Sequence, residues 1–219
     1  NANLELAKLG VFKNMRLEGW IRAIEKDVVT TFRLISRIEH LNLSISTSDQ
    51  MIKHKFKGKL DKKSIIQEMV DATQLAKKSG AKSGGVNAED ASRTDLNYLI
   101  EFVGAAKKAG ADRFRYCDTL GYDSPFSIAE RIKKITKAVK IPIELHCHND
   151  LGMVVATSVA GAMAANDGGQ DAYINTCING MGERAGNADL VAVILAIKYG
   201  SGIENKCQLG GHVNLPMAW

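Results

Sequence analysis

Residues 141–153 read Ile-Pro-Ile-Glu-Leu-His-Cys-His-Asn-Asp-Leu-Gly-Met, and this stretch carries the clearest structural signal in the chain. Its apolar, β-branched start with an early proline is typical of the entry into a β-strand. Side chains two residues apart in a strand point to the same face, so His146 and His148 should converge on one point. Neutral imidazoles placed in this way can share a divalent metal ion. The structural alternative is that both rings are partly buried and bind backbone carbonyl groups.

This strand is followed by Gly152 and a helical pattern, so the two histidines lie where a strand ends and a helix begins. In α/β proteins this edge of the sheet is where ligands bind. The same alternation of strand and helix recurs along the chain. The predicted strands are Met15–Trp20, Leu41–Ser46, Ser83–Asn87, Asp112–Cys117, Ile141–His146 and Ala172–Ile178. The predicted helices are Lys26–Arg37, Lys62–Lys78, Asp95–Lys108, Ser127–Val139, Met153–Ala165 and Ala188–Tyr199.

Strands that alternate with helices predict an α/β fold with parallel pairing and right-handed crossovers. We therefore predict an incomplete (β/α)8 TIM barrel of about six βα units, which lacks two strands of the closed form. Residues 1–219 would form a single partial catalytic domain. The alternative architecture is an open, doubly wound sheet of six strands.

Helix boundaries carry recognisable capping chemistry. The pattern predicts N-caps at Asp61, Thr94, Ser124 (followed by Pro125) and Asn187, and helix ends at Gly80 and Gly110.

Composition and charge narrow the class of protein. The 219 residues are 45% hydrophobic and 24% charged, which is ordinary for a globular domain. No apolar run reaches the length of a membrane span, and basic residues are not interleaved with aromatic ones, so we expect neither a membrane nor a nucleic-acid partner. The four cysteines form no C-x-x-C pair. This favours a reducing compartment, and we expect a cytoplasmic protein.

The net charge of +5 comes largely from lysines, several of which form one dense run. The run consists of Lys53, Lys55, Lys57, Lys59, Lys62 and Lys63. Such a run is usually a solvated loop and helix start. The alternative is a patch that attracts an anionic ligand such as a nucleotide-bearing thioester.

Polar clusters follow four successive predicted strands, at the edge where a barrel places its active site. They are Asn87-Ala-Glu-Asp-Ala-Ser-Arg-Thr94, Cys117-Asp-Thr-Leu-Gly121, His146-Cys-His-Asn-Asp150 and Asn179-Gly-Met-Gly-Glu-Arg-Ala-Gly-Asn187. Each could be ordinary loop chemistry, but four at corresponding positions indicate a site. Strand parity also predicts that Glu144 and Arg115 meet inside the barrel as an ion pair.

Together these four motifs resemble the homocitrate synthase and 2-isopropylmalate synthase family of metal-dependent barrels, which also includes HMG-CoA lyase. Within this family the motifs resemble those of the nitrogen-fixation type of homocitrate synthase. The resemblance implies an acyltransferase of amino-acid biosynthesis or related metabolism. It would condense acetyl-CoA with a 2-oxo acid, 2-oxoglutarate being favoured, with Mg, Mn or Zn polarising the 2-oxo group. Synthesis of 2-isopropylmalate or citramalate is the alternative activity.

The resemblance also assigns roles to individual residues. His146 and His148 match metal-binding histidines, and Asn187 matches an asparagine at the metal. Thr119 matches a catalytic and substrate-binding threonine that contacts the 2-oxo acid carboxylate. The acidic residue Glu89 is implied to be catalytic, with a capping role or an ion pair with Arg93 as its structural alternative.

Three further residues receive supporting roles from the same match. Asn87 is implied to bind substrate. Asp150 and Glu183 are expected to orient the histidines and the loop rather than to bind the metal.

Two features of the family find no match in the sequence. The family's first strand carries an Asp-x-Thr-Leu-Arg motif, and a downstream subdomain supplies a catalytic histidine and tyrosine. We therefore expect a chain truncated at both ends and little turnover from it alone. A homo-oligomer or a partner chain would complete the barrel, and the chain could also be a non-catalytic subunit of such a complex.

Overall fold

The computed structural model describes residues 17–35, 38–200 and 202. Six parallel strands form one sheet in the order β1 to β6. They are β1 (Glu18–Arg22), β2 (His40–Ser46), β3 (Ser83–Glu89), β4 (Arg113–Asp118), β5 (Ile143–Cys147) and β6 (Ala172–Ile174). A spatial order that follows the chain order is that of a barrel, because a doubly wound sheet reverses its order at a switch point. The prediction of an incomplete barrel of about six βα units is confirmed.

Seven helices lie along the described part of the chain. They are α1 (Glu25–Leu34), α2 (Asp49–His54), α3 (Lys62–Lys78), α4 (Leu96–Ala109), α5 (Pro125–Ala138), α6 (Val154–Asp167) and α7 (Leu190–Leu195). Short 3₁₀ turns occur at Ala91–Arg93 and Ile178–Gly180, and a π-helical turn, Ala196–Gly200, continues α7. None of the described helices is both long and apolar enough to cross a membrane.

The hydrophobic core lies between the sheet and the helices. Alternate strand side chains such as Leu43, Val86 and Phe114 are fully buried in one cluster with helix residues that include Met69 and Phe102. Burial of each such side chain contributes about 1.5–3 kcal/mol relative to exposure. This apolar layer fixes which strand residues must point to the opposite face.

That opposite face, the inner face of the sheet, is polar. The register aligns Ser44 with Asn87, Asn87 with Arg115, and Arg115 with Glu144. One level nearer the carboxyl ends of the strands, Cys117 is aligned with His146. The inner face therefore presents charged and hydrogen-bonding groups, and the site is built at its carboxyl edge.

Several predicted boundaries need correction. The strand predicted over 15–20 is Glu18–Arg22, with residues 15 and 16 outside the described part, and the strand predicted to reach Ile178 ends at Ile174. The short helix α2 was not predicted at all. The last helix begins at Leu190 and its α-helical part ends at Leu195.

The capping predictions were right in part. Asp61 caps α3 by accepting from the Ser64 backbone N–H at 2.7 Å, and Ser124 forms a capping box with Ser127 at the start of α5. Thr94 is not the cap of α4, since Asp95 accepts from the Tyr98 N–H at 2.9 Å. The helix ends fit the prediction, because Gly80 and Gly110 both have positive φ, the conformation that glycine adopts most easily.

Candidate active site and metal centre

The two histidines meet at the carboxyl end of β5. Their ring centroids are 5.0 Å apart and the ring planes are nearly perpendicular, at 87°. Burial, together with the nearby Arg115 and His148, lowers the pKa of His146 to about 3. Burial also lowers the pKa of His148. Both imidazoles are therefore neutral at physiological pH, the form that binds a metal ion.

Asn187 lies directly beside His148. The two residues form an antiparallel bridge, and the Asn187 amide nitrogen is 3.4 Å from the His148 Nδ1. That amide also donates to the Cys147 carbonyl oxygen at 3.0 Å. Asn187 is not the N-cap of α7 as the sequence suggested, because Asp189 accepts from the Ala192 N–H at 2.8 Å.

A carboxylate joins the two imidazoles. Within the described residues, Glu183 and the two histidines each offer one ligand atom, and these three atoms lie within 4.8 Å of one another. The His148 Nδ1 also lies 3.4 Å from the Glu183 carbonyl oxygen. If Nδ1 carries the proton, Nε2 keeps a free lone pair for a metal. Two imidazoles and one carboxylate are a donor set that fits a divalent first-row ion.

Thr119, just beyond β4, is held by the loop that follows β3. Its hydroxyl oxygen accepts a hydrogen bond from the Asp90 backbone N–H at 2.9 Å. Asp90 is buried, has a φ of 64° and accepts from Arg93 Nε and Nη2 at 2.6–3.0 Å. The hydroxyl proton of Thr119 is thus free to be donated to a ligand. The sequence does not single out Asp90. Its positive φ, an unfavourable backbone conformation, identifies it as a special position in the structure.

Glu89 has a partner that the sequence did not predict. Lys55 Nζ lies 2.5 Å from its carboxylate, and Ser46 donates a short hydrogen bond to the same oxygen. The alternative of an ion pair with Arg93 is wrong, since Arg93 pairs with Asp90. Lys55 belongs to the lysine run that the sequence analysis described. The role of this run in binding an anionic thioester stays a prediction.

Asn87 is completely buried on the inner face, and neither polar atom of its side chain has a hydrogen-bond partner among the described residues. An unpartnered buried amide costs free energy unless water or a ligand satisfies it. Its predicted role in substrate binding remains a prediction that this burial supports.

A charged cluster lies one level below the histidines. Arg115 forms the predicted ion pair with Glu144, so that prediction is confirmed. Glu144 also accepts from Arg113 Nε at 2.6 Å and from Asn175 Nδ2 at 2.7 Å, and Glu18 pairs with both arginines. Burial alone would raise the pKa of Glu144, but the two guanidinium groups lower it to about 2. The cluster gives the centre of the inner face fixed charges.

Asp118 is another buried acid close to the site. Burial raises its pKa to about 6, although the Tyr122 and Asp123 N–H groups donate to the carboxylate at 2.8 Å and 3.2 Å. Its carbonyl oxygen accepts from the His148 N–H at 3.2 Å. The sequence gave no sign that this aspartate would be buried.

The family model described as HMGL-like matches residues 7–213. The chain belongs to the HMGL-like family. HMGL-like relatives include the citrate (Re)-synthase of Dehalococcoides mccartyi, which is 59% identical over 218 residues, or 100% of this chain and 52% of the relative. The 2-isopropylmalate synthase 2 of Caldanaerobacter subterraneus is 45% identical over 89% of this chain and 48% of the relative. The homocitrate synthase 1 of a Nostoc species is 35% identical over 91% of this chain and 50% of the relative.

Among solved HMGL-like structures, the HMG-CoA lyase of Brucella melitensis has a TM-score of 0.69 at 13% identity. It is aligned over 90% of this chain and 70% of the lyase chain. At that identity the likeness establishes the fold alone. The chain spans about half the length of the curated relatives it matches. The family predicted from the four motifs is therefore confirmed at the level of HMGL-like proteins.

Proposed function

We propose that this chain carries the metal-binding and oxo-acid-binding part of an acyltransferase that condenses acetyl-CoA with a 2-oxo acid. The observation that carries the proposal is the pair of neutral imidazoles at the carboxyl edge, His146 and His148, with a carboxylate facing them. The relatives named as citrate, 2-isopropylmalate and homocitrate synthases support it, because all these products are 2-hydroxy acids of one chemical type.

Among 2-oxo acids, we propose oxaloacetate first. The relative named citrate (Re)-synthase is 59% identical over the whole chain, and citrate is the product expected from oxaloacetate. The substrate that the sequence motifs favour, 2-oxoglutarate, comes second, since the relative named homocitrate synthase is 35% identical. A nitrogen-fixation role would follow only from that second choice.

A divalent ion bound by the two histidines and a carboxylate would polarise the 2-oxo group. The Thr119 hydroxyl would donate a hydrogen bond to the substrate carboxylate, since its oxygen already accepts one from the Asp90 backbone N–H. Glu89, which pairs with Lys55, would accept the proton lost from the acetyl methyl group. The methyl carbon would then bond to the 2-oxo carbon as the C=O π bond breaks, and the new alkoxide oxygen would take up one proton to become the 2-hydroxyl group. Water would add to the thioester carbonyl carbon and the C–S bond would break, giving the carboxylic acid and CoA as its free thiol.

We propose further that the active assembly contains more strands than the six described. Among the described strands, β1 and β6 lie at the two edges of the sheet, whereas a closed barrel of this type has eight strands. A homo-oligomer or a partner chain could cover these edges. If the chain formed a stable complex without any response to metal, an assembly role would replace the catalytic one.

Ligand-induced stabilisation tests the oxo-acid site on the 219-residue chain itself. With manganese present, a 2-oxo acid at 100 times its dissociation constant should stabilise the chain by about 2.7 kcal/mol. Thermal melts with oxaloacetate, 2-oxoglutarate, pyruvate and 2-oxoisovalerate would rank the substrates. Release of CoA from acetyl-CoA, followed with a thiol reagent, would measure turnover, which we expect to be small for the chain alone.

Variants locate the response. Thr119→Val keeps the side-chain shape but removes the hydroxyl, so it should weaken stabilisation by the oxo acid and leave manganese binding intact. Thr31→Val, in α1, is the matched control. A Thr119→Val chain that responds like the Thr31→Val chain would contradict the assigned role of Thr119. Loss of all oxo-acid effects in the unmodified chain would contradict the proposed function.

A further inference from the structure

The turn that follows β3 has a backbone shape that its surroundings must impose. We call residues 90–94 the Asp90 turn, and it includes the 3₁₀ turn Ala91–Arg93. Asp90, its first residue, is buried and has left-handed backbone angles, with φ 64° and ψ 37°. This conformation is unfavourable for a residue with a Cβ atom, although aspartate tolerates it better than most residues do. It persists only where neighbouring groups hold it.

One set of contacts holds the start of the Asp90 turn. Arg93 Nε and Nη2 donate to the Asp90 carboxylate at 2.6–3.0 Å, and the Ser48 hydroxyl donates a short hydrogen bond to the same group. The Thr94 hydroxyl donates to the Asp90 carbonyl oxygen at 2.9 Å and lies 2.7 Å from the Thr47 hydroxyl. These contacts tie the turn to the segment that follows β2.

Arg131, on α5, holds the turn from the other side. Its Nη2 donates to the carbonyl oxygens of Ala91 and Thr94, at 2.8 Å and 2.6 Å. Its Nε donates to the Tyr116 hydroxyl oxygen at 2.8 Å, and that hydroxyl donates to the Asp123 carboxylate at 2.6 Å. Tyr116 and Asp123 are both buried, so the guanidinium group is itself held in place. One side chain from outside the site thus fixes two carbonyl groups of the Asp90 turn.

The Asp90 turn in turn fixes the Thr119 hydroxyl. The Asp90 backbone N–H donates to the Thr119 hydroxyl oxygen at 2.9 Å. On the other side, a Cβ atom at Gly121 would overlap the His148 carbonyl oxygen, so the loop after β4 is packed against the loop that carries the histidines. A hydroxyl whose oxygen already accepts is directed to donate its proton elsewhere. Without that N–H it would be free to rotate and to present a lone pair to a carboxylate.

We propose that Asp90 and Arg131 are positioning residues for Thr119. Arg131 keeps the Asp90 turn in shape, the turn keeps the Asp90 N–H on Thr119, and this N–H keeps the hydroxyl ready to donate. The inference rests on the proposed function in one respect, the contact of Thr119 with the 2-oxo acid carboxylate. It adds that the affinity for the acid depends on a buried array on the helix side of the sheet, which touches no ligand.

Calorimetric titration of the 219-residue chain with oxaloacetate and with 2-oxoglutarate, at saturating manganese, tests the role of Arg131. Arg131→Met removes its hydrogen bonds and should weaken acid binding by about tenfold, the typical effect of losing one hydrogen bond to a charged group. Manganese affinity should stay unchanged. Arg131→Lys keeps the charge without the planar fork and should show a smaller loss. Arg33→Met, which removes an exposed arginine of α1, is the matched control and should bind both ligands normally.

A double-mutant cycle separates positioning from a general loss of structure. Thr119→Val removes the hydroxyl through which Arg131 is proposed to act. In the Thr119→Val chain, Arg131→Met should therefore change acid affinity by less than about twofold, while it still lowers the melting temperature. Arg131 losses of equal size with and without the Thr119 hydroxyl would overturn the positioning role.

Substitutions of Asp90 test the part played by the backbone. Asparagine and glycine tolerate the left-handed conformation, whereas alanine does not. Asp90→Ala should therefore weaken acid binding by about tenfold and Asp90→Asn by less than about threefold, with Asp90→Gly between them. Equal affinities for Asp90→Ala and Asp90→Asn would contradict the proposal.

Hydrogen exchange of the Asp90 amide, followed by NMR, gives a readout that needs no ligand. At equal global stability this N–H should exchange at least about tenfold faster in the Arg131→Met chain than in the Arg33→Met chain. Equal exchange rates would overturn the positioning role and leave the proposed function standing. If exchange responds as expected but neither acid binds the unmodified chain, the proposed function is wrong, and the positioning role that rests on it falls too.

Discussion

Replacing Glu144 by glutamine tests the charged cluster on the inner face of the sheet. The carboxylate of Glu144 accepts from Arg113 at 2.6 Å and from Asn175 at 2.7 Å, and it also pairs with Arg115. Glutamine keeps the volume of the side chain but removes its charge. Of the carboxylates in the described part of the chain, Glu18 would then be the one left to pair with the two guanidinium groups.

The pKa of Glu144 gives the size of the effect. Burial opposes ionisation, but Arg115 and Arg113 outweigh it and hold the pKa at about 2, against an ordinary value of 4.5. This difference corresponds to about 3 kcal/mol of folding free energy at neutral pH. Removing one partner of a buried pair costs about 3–5 kcal/mol in general, which agrees. Because the folded-state pKa is lowered, the stabilisation is complete above pH 4.5 and is lost as the pH falls through 2.

Urea denaturation followed by circular dichroism measures this loss. At pH 7 the Glu144→Gln midpoint should fall by about 1 M for a denaturant slope near 3 kcal/mol per M. The difference between the two chains should shrink as the pH is lowered from 5 towards 2. Glu130→Gln, which removes an exposed carboxylate, should leave the midpoint unchanged. Equal midpoints for Glu144→Gln and Glu130→Gln at pH 7 would show that the cluster does not stabilise the fold.

Two more substitutions probe groups near the site. Burial raises the pKa of Asp118 to about 6. Between pH 4 and pH 6 the folded chain therefore keeps a proton on this carboxyl group that the unfolded chain loses. The free energy of unfolding should fall by about 3 kcal/mol as the pH rises from 4 to above 6. Asp118→Asn should remove this part of the pH dependence in thermal melts, and an unchanged slope would contradict the assignment. A methyl group at Gly182 would overlap Asn187, whereas one at Gly84 meets open space. Gly182→Ala should therefore lower the melting temperature by about 5 °C, whereas Gly84→Ala should leave it unchanged. Equal melting temperatures for the two variants would contradict the close packing of the loop formed by residues 179–187.

Periodicity and parity in the sequence were enough to predict the sheet and its inner face. Alternation of apolar strands and amphipathic helices predicts parallel pairing, because each helix must cover the sheet that its strand extends. Parity then places His146 beside His148 and Arg115 opposite Glu144, and the structure has both pairs. The first relation depends only on counting residues within one strand, and the second also needs the parallel pairing of two neighbouring strands.

Contacts that depend on loops could not be predicted in this way. The loop of residues 179–187 contains positive φ values at Asn179 and Arg184, and the pattern of residues in the sequence did not predict them. The contact of Lys55 with Glu89 depends on α2, whose six residues are too few for a periodic signal. Thr94 and Asp95 are adjacent and both are common N-cap residues, so the sequence alone could not decide between them. In the structure Asp95 caps α4.

The two faces of the sheet have different consequences for how such a domain can evolve. Substitutions among Leu43, Val86 or Phe114 disturb packing against the helices and should be eliminated by selection for stability. Around Asn87, by contrast, an inner-face side chain whose polar atoms have no described partner can be exchanged with less effect on the scaffold. New ligand preferences can therefore arise at unpartnered inner-face positions such as Asn87, while the helix-covered face and the charged cluster around Glu144 preserve the architecture that carries them.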